Sequence, residues 1–211
     1  KLDAEPGHIL YLDYETSFAE IQERANALMK GLGLLHSPSF HYQFMSDPVQ
    51  DKVEEISELI LEYGIHYVIV DSLGLACGGN PEASDMINPY FRALRSLKVG
   101  TLSLHHPNRE GKYYGNVYIQ NNARAVYELT SSQELDGLHV GLFNRKRNRG
   151  RLAANIGFHL TFEEATGGAL TKITVVREDV RTVRSVAAGM SRREQVIAEL
   201  RGGPKTQAEI A

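Results

Sequence analysis

Cysteine is nearly absent from this chain: Cys77 is the only one in 211 residues. A lone thiol excludes an intrachain disulfide framework and a cysteine-rich zinc site, and it suits a reducing compartment. Long apolar runs are missing as well. None approaches the ~20 residues that span a bilayer, and no signal-peptide pattern opens the chain. The expectation is a soluble, cytoplasmic protein without a membrane partner. Positive charge is not in excess either. The 23 Lys and Arg against 26 Asp and Glu give a formal net charge of −3, which argues against a uniformly basic nucleic-acid binder but leaves room for a local basic patch. No internal repeat or low-complexity tract interrupts the sequence. What remains is an ordinary globular composition, 42% hydrophobic and 23% charged, long enough for one sizeable core and an appendage.

Residues 8–13 (HILYLD) form a short apolar run after Pro6-Gly7 and read as a buried strand. Ser17 and Glu20 have the spacing of a capping box, and Ile21, Ala25, Leu28 and Leu32 follow at helical spacing up to Gly31 and Gly33. A second helix fits 51–63 and feeds a strand at 66–71 (HYVIVD). A third helix fits 85–97, provided that Pro89 falls in its first turn, and a strand follows at 101–105. Strand, helix, strand, helix, strand is the grammar of a parallel α/β sheet. Segments 125–129, 138–144, 156–162 and 172–176 are short and β-like, and they read as a partly antiparallel extension of the same sheet. Residues 177–190 read as a linker, leaving 1–176 as the core. Within 191–211, two capping-box spacings, Ser191/Glu194 and Thr206/Glu209, flank a Gly/Pro turn and look like the start of a helix-turn-helix or winged-helix module.

Three groups of residues could carry chemistry. Two strands end in carboxylates, Asp13-Tyr14-Glu15 and Asp71-Ser72. Ligands of open parallel sheets bind beyond the carboxyl ends of the strands, and an apolar strand ending in Asp-Ser resembles a Walker B strand, whose carboxylate holds the water shell of magnesium. Glu15 could polarise an attacking water, whereas Asp13 still sits within its strand. Acidic residues also end strands simply to cap the next helix, so this pattern alone does not decide. The third strand ends in His105-His106, placed to sense a terminal phosphate; a zinc site there lacks partners at matching spacing. The third group is Arg145-Lys146-Arg147-Asn148-Arg149-Gly150-Arg151, within a stretch, residues 137–162, that contains no acid. It reads as a basic hairpin tip for a phosphate, or as a solvated turn.

In this order, the features resemble the RecA/DnaB superfamily of ATPases, and most closely its RepA-like hexameric helicase branch. Tyr114-Gly115-Asn116, the run from Ala123-Arg124 to Leu129, and Lys146-x-Asn148 extend the likeness over about residues 8–165. The resemblance implies a RecA-like P-loop NTPase core, mostly parallel with an antiparallel C-terminal extension. Its cofactors would be ATP and magnesium, and its partners single-stranded DNA and further copies of the chain in a hexameric ring. It implies Glu15 as the water-activating carboxylate, Asp71 as the magnesium-side aspartate with Ser72 beside it, and His106 as the γ-phosphate sensor, with His105 as the fallback. Asn116 would join the nucleotide site. Arg109 and Lys112 would contact DNA from a channel-side loop at 107–115, and 72–84 would be the other channel-side loop. Lys146, with Arg147 close behind, would be the finger acting on a neighbouring subunit's nucleotide; both Arg145-x-Arg147 and Lys146-x-Asn148 fit some version of the pattern.

The family binds triphosphate through G-x-x-x-x-G-K-[ST], and no such motif occurs in these 211 residues. Without that cradle the polypeptide should bind ATP poorly. Lys1 at the start, an unfinished helix at Ala211 and the retained Glu15 favour a fragment of a replicative helicase-type ATPase over a P-loop-less paralogue. The alternatives are a non-catalytic DNA-binding regulator or loader with a degenerate nucleotide site, and a KaiC-like or recombinase-like ATPase.

Overall fold

The computed structural model describes residues 7–36, 38–106, 117–181, 183–200 and 203. The described residues divide into two compact units, one drawn from 1–25 and 35–123, the other from 26–34 and 124–211. Arg109, Lys112, Asn116, the loop 107–115 and the Thr206/Glu209 spacing lie outside the described residues.

The first unit is built on β1 (His8–Asp13), which leads into helix α1 (Phe18–Gly31). The capping box forms: the Ser17 N–H donates to Glu20 Oε2 at 3.1 Å, and the Glu20 N–H to Ser17 Oγ at 3.4 Å. Next come β2 (Phe40–Phe44), a short 3-10 turn, α2 (Val53–Tyr63), β3 (Ile65–Asp71), α3 (Leu73–Ala76), α4 (Ser84–Ser96), β4 (Gly100–Ser103) and α5 (Val117–Asn122). The four strands are parallel in the order β2-β1-β3-β4. The order reverses direction between β1 and β3, because the chain leaves β1 towards β2 and then crosses back past it to β3. Such a reversal is where open α/β sheets bind ligands, at the carboxyl ends of the strands.

Strand alternation sets the core. Leu10, Leu12, Val68 and Val70 are almost completely buried and share one cluster with Ile56 and Ile60 of α2 and with Ile87, Tyr90, Phe91 and Leu94 of α4. Pro89 departs from expectation: it is the sixth residue of α4, beyond the first turn. An interior proline costs ~3 kcal/mol, and the buried face of α4 offsets it, at roughly 1.5–3 kcal/mol for each large apolar side chain taken out of water.

The second unit contains β5 (Ala125–Glu134), β6 (Gly137–Arg147), β7 (Ile156–Glu164), β8 (Leu170–Glu178), α6 (Arg184–Ala187) and α7 (Arg192–Leu200). Its four strands pair antiparallel in sequence order as a sheet of their own, and so do not extend the parallel sheet as the sequence pattern predicts. Strands of 9–11 residues joined by short connections satisfy each backbone on its sequence neighbour. The stretch read as a linker contributes to this unit's own core, where Val180 and Val186 pack on Phe143. Gly31, at the end of α1, is needed for close approach rather than for ending the helix: a Cβ there would lie 1.7 Å from the Ile173 carbonyl oxygen.

α7 carries the second capping box. The Ser191 N–H donates to Glu194 Oε2 at 2.8 Å, and Asn155 Nδ2 donates to Glu194 Oε1 at 2.9 Å. No helix among the described residues is long and apolar enough to cross a membrane.

Candidate functional site

Asp13 and Asp71 are register partners at the carboxyl ends of β1 and β3. Asp13 is fully buried and saturated with donors: the N–H groups of Glu15 and Thr16 at 3.0 Å each, the Thr16 hydroxyl at 2.6 Å and the Tyr42 hydroxyl at 2.9 Å. Burial pushes this carboxyl up, but the hydrogen bonds from Thr16, Glu15 and Tyr42 outweigh it and hold the group below the ordinary carboxylate value. Tyr42, half-buried against that charge, is itself pushed up to about 12 by desolvation and by Asp13. Asp13 therefore shapes the turn from which Glu15 projects. The Tyr14 N–H donates to the Asp71 carbonyl at 2.7 Å and ties the same turn to β3.

Asp71 accepts the Tyr11 phenolic hydrogen. Burial, and then Asp71 itself, push the Tyr11 hydroxyl well above its usual value, so it stays a neutral donor. The Asp71–Ser72 peptide is cis. The Ser72 hydroxyl, buried at the start of α3, donates to Glu15 Oε1. From the third strand end, His106 Nε2 lies 3.2 Å from Glu15 Oε2. The backbone bonds Leu104 N–H to Val70 carbonyl (2.9 Å) and Leu73 N–H to Leu104 carbonyl (2.8 Å) hold this segment beside β3.

Ligand atoms of Glu15, Asp71 and His106 all lie within 4.8 Å of one another. Glu15 is 31% exposed and His106 70% exposed at the side chain, so the cluster opens to solvent. Two carboxylates and a hydroxyl supply the oxygen donors that a hard cation such as magnesium takes. The donor set of Glu15, Asp71 and Ser72 fits magnesium, which these residues could hold.

The structure thus brings Glu15, Asp71, Ser72 and His106 together. Lys146 and Arg147 belong to the second unit. The basic segment is divided in role. Arg145 turns inward: its Nε donates to Glu128 Oε2 at 2.5 Å, its Nη2 to the Gly189 carbonyl, and its guanidinium carbon stands 5.0 Å from the Phe143 ring centre. Asn144, buried, holds the strand end, donating to the Val126 and Lys146 carbonyls and accepting the Ala153 N–H. Arg147, Arg149 and Arg151 are exposed, with Lys146 half-buried before them. Four contributors carry no motif of their own in the sequence: Tyr11, Thr16 and Tyr42 match no site pattern, and Asp13 reads as part of its strand. The Asp-x-x-Thr spacing of an Asx-type turn is the signal that could have found Asp13 and Thr16.

The family model AAA_25, an AAA domain, matches residues 1–112, just over half of the chain. The chain belongs to this AAA domain family. No curated protein matches it. Among solved structures, the AAA chain is similar to the KaiC-like protein from the hyperthermophilic archaeon Pyrococcus horikoshii OT3, at 14% identity and a TM-score of 0.55, over 81% of this chain and 76% of that one. It is also similar to the flagellar accessory protein FlaH from Methanocaldococcus jannaschii, at 15% identity and a TM-score of 0.51, over 82% and 77%. The AAA domain therefore has a RecA-like α/β fold, with Glu15, Asp71 and His106 at the carboxyl ends of its parallel strands.

Proposed function

We propose that the chain supplies the water- and magnesium-side of an ATP-hydrolysing site in a RecA-type motor acting on single-stranded DNA. One observation carries this reading: Glu15, Asp71, Ser72 and His106, drawn from three strand ends, converge beside the reversal of strand order. Glu15 would orient and deprotonate the attacking water, held in place by the Ser72 hydroxyl. Asp71, fixed by Tyr11, would hold the magnesium water shell, and bound magnesium would neutralise charge on the phosphates. His106, against Glu15, would link loss of the terminal phosphate to the segment that follows it, where Arg109 and Lys112 would meet DNA and Asn116 the nucleotide. Lys146 or Arg147, at the base of the exposed arginine tip, would act on the nucleotide of a neighbouring copy in a hexameric ring, and α7 would open a DNA-binding module.

The test is ATP turnover by the native protein with and without single-stranded DNA. Magnesium-dependent hydrolysis that DNA stimulates and that Glu15→Gln abolishes is the expected result. Undiminished turnover in Glu15→Gln would refute the assigned role. The likeness to a KaiC-like protein favours a second reading, an ATPase with a signalling role. That reading gains if hydrolysis needs Glu15 and is indifferent to DNA.

A further inference from the structure

The second unit buries a histidine between two carboxylates. His139 of β6 is 8% exposed at the side chain, and both of its ring nitrogens face acid. Nε2 lies 3.1 Å from Oδ1 of Asp136, in the turn between β5 and β6, and Nδ1 lies 3.0 Å from Oε1 of Glu178, the last residue of β8. A neutral imidazole carries one N–H and one lone pair, so it donates to one of these carboxylates and turns an acceptor on the other. The imidazolium donates to both. Its bonds to Asp136 and then to Glu178 outweigh burial and hold the His139 ring above the ordinary histidine value.

Cross-strand register supplies the rest of the surroundings. On β5 the partner of His139 is Ser132, whose hydroxyl donates to Glu134 at 3.5 Å. On β7 it is His159, whose ring stacks on His139 at 4.4 Å and 7°. The His159 Nε2 lies 3.1 Å from the Asp136 carbonyl oxygen and 3.7 Å from the Asp136 carboxylate, and donates to that carbonyl. A neutral ring in this role stacks on the imidazolium without like-charge repulsion. Glu178 reaches His139 diagonally. Its own partner on β7 is Gly157, and the partner of Gly157 on β6 is Gly141, so its row carries no other side chain on those strands. The next cation after Glu178, Arg181, turns instead to Asp179, its Nε donating to Oδ1 at 2.7 Å.

The segment that follows Glu178 packs on the same face of the sheet. Val180 and Val186 bury against Phe143, and the Gly189 carbonyl accepts from Arg145. Val186 sits over Gly141 itself, where a Cβ would lie 2.5 Å from its Cγ1. Loss of the His139 proton leaves Glu178, 17% exposed at the side chain, as a mostly buried carboxylate stripped of the charge that His139 supplied. Asp136, 64% exposed, can turn to water. Glu178 reaches water only if the end of β8 moves, and the segment behind it then moves too. A histidine held above its ordinary value stabilises fully below the value of the released ring, about 6.5. That contribution is lost as pH rises through the native value.

We propose that His139, protonated between Asp136 and Glu178, is a pH-sensitive clasp that holds residues 179–190 on the antiparallel sheet and releases them as the solution turns alkaline. The experiment follows the full chain by NMR from about pH 6 to 8.5. It reads the His139 ring nitrogens and, corrected for intrinsic exchange, the hydrogen exchange of the Ala187 and Gly189 amides, which donate to the Val183 and Val186 carbonyls. A four-residue helix does not hold such bonds once it leaves the sheet. The opening constant should rise by up to about tenfold per pH unit, the signature of one proton released on opening, and level off above the His139 midpoint. Glu178→Gln keeps an acceptor and removes the charge, so it should lower that midpoint and shrink the rise. His139→Gln should abolish the rise, with circular dichroism establishing that each variant is folded. Asp136→Asn, in the exposed turn, should also lower the midpoint and repeats the test should either variant fail to fold. A His139 ring that is neutral across the whole range, or a rise in opening that persists in His139→Gln or ignores the His139 midpoint, would overturn the proposal.

Discussion

His106 Nε2 stands 3.2 Å from Glu15 Oε2, although 91 positions of chain separate them. The contact joins the ends of the first and last strands of the parallel sheet across Asp71. The proposed roles predict different defects for the two residues. Glu15→Gln removes the group that takes the proton from water and should lower kcat by ~10²–10⁴-fold, the usual worth of a general base. His106→Asn leaves that base in place and should retain a basal rate while losing stimulation by DNA. Steady-state ATP hydrolysis, measured with and without single-stranded DNA, separates the two.

The Tyr11 hydroxyl donates to Asp71. Tyr11→Phe keeps the ring that lies against Phe40 and deletes one hydrogen bond to a charged acceptor, worth about 1.5–3 kcal/mol. The expected result is a lower unfolding midpoint together with a higher magnesium requirement for hydrolysis, because Asp71 loses its fixed orientation. Equal magnesium dependence in the variant would restrict Tyr11 to a structural role.

Asp13 links the site to acid stability. Its native carboxyl is held below the ordinary value by donors that outweigh its burial. A carboxylate depressed in the folded state stabilises fully above its unfolded value, about 3.9, and that contribution is lost as pH falls through the lower native value. Asp13→Asn should therefore cost roughly 2–3 kcal/mol near neutrality and flatten the pH dependence of stability below about pH 4. Denaturant unfolding at pH 3, 5 and 7 checks both the size and the sign.

The sequence reading reached the parts of the fold whose signal is local. The apolar runs ending at Asp13 and Asp71 and the capping boxes at Ser17 and Ser191 each depend on neighbours within a few positions. β2 (FHYQF) escaped because an edge strand that is nowhere fully buried lacks an apolar run. With it went Tyr42, which reaches Asp13 only once the two strands pair. Pro89 misled because a helix breaker is weighed locally, whereas α4 is held by five buried side chains. The grouping of Asp136, His139 and His159 depends on cross-strand register, which spacing along the chain does not reveal.

Register also divides the basic segment into fold and function. Arg145 is bound to Glu128, to Gly189 and over Phe143, whereas Arg149 is exposed at the tip. Arg145→Ala strands the Glu128 carboxylate and the Gly189 carbonyl and removes a cation from the Phe143 ring, so stability should fall by about 1–3 kcal/mol. Arg149→Ala, away from such contacts, should stay within about 0.5 kcal/mol of the parent. Thermal unfolding measures this difference. If the tip meets phosphate, a DNA-binding assay should give the opposite ranking among correctly folded protein: Arg149→Ala weakens binding and flattens its salt dependence, while the folded fraction of Arg145→Ala binds as the parent does. A parental salt dependence in Arg149→Ala would leave the tip as a solvated turn.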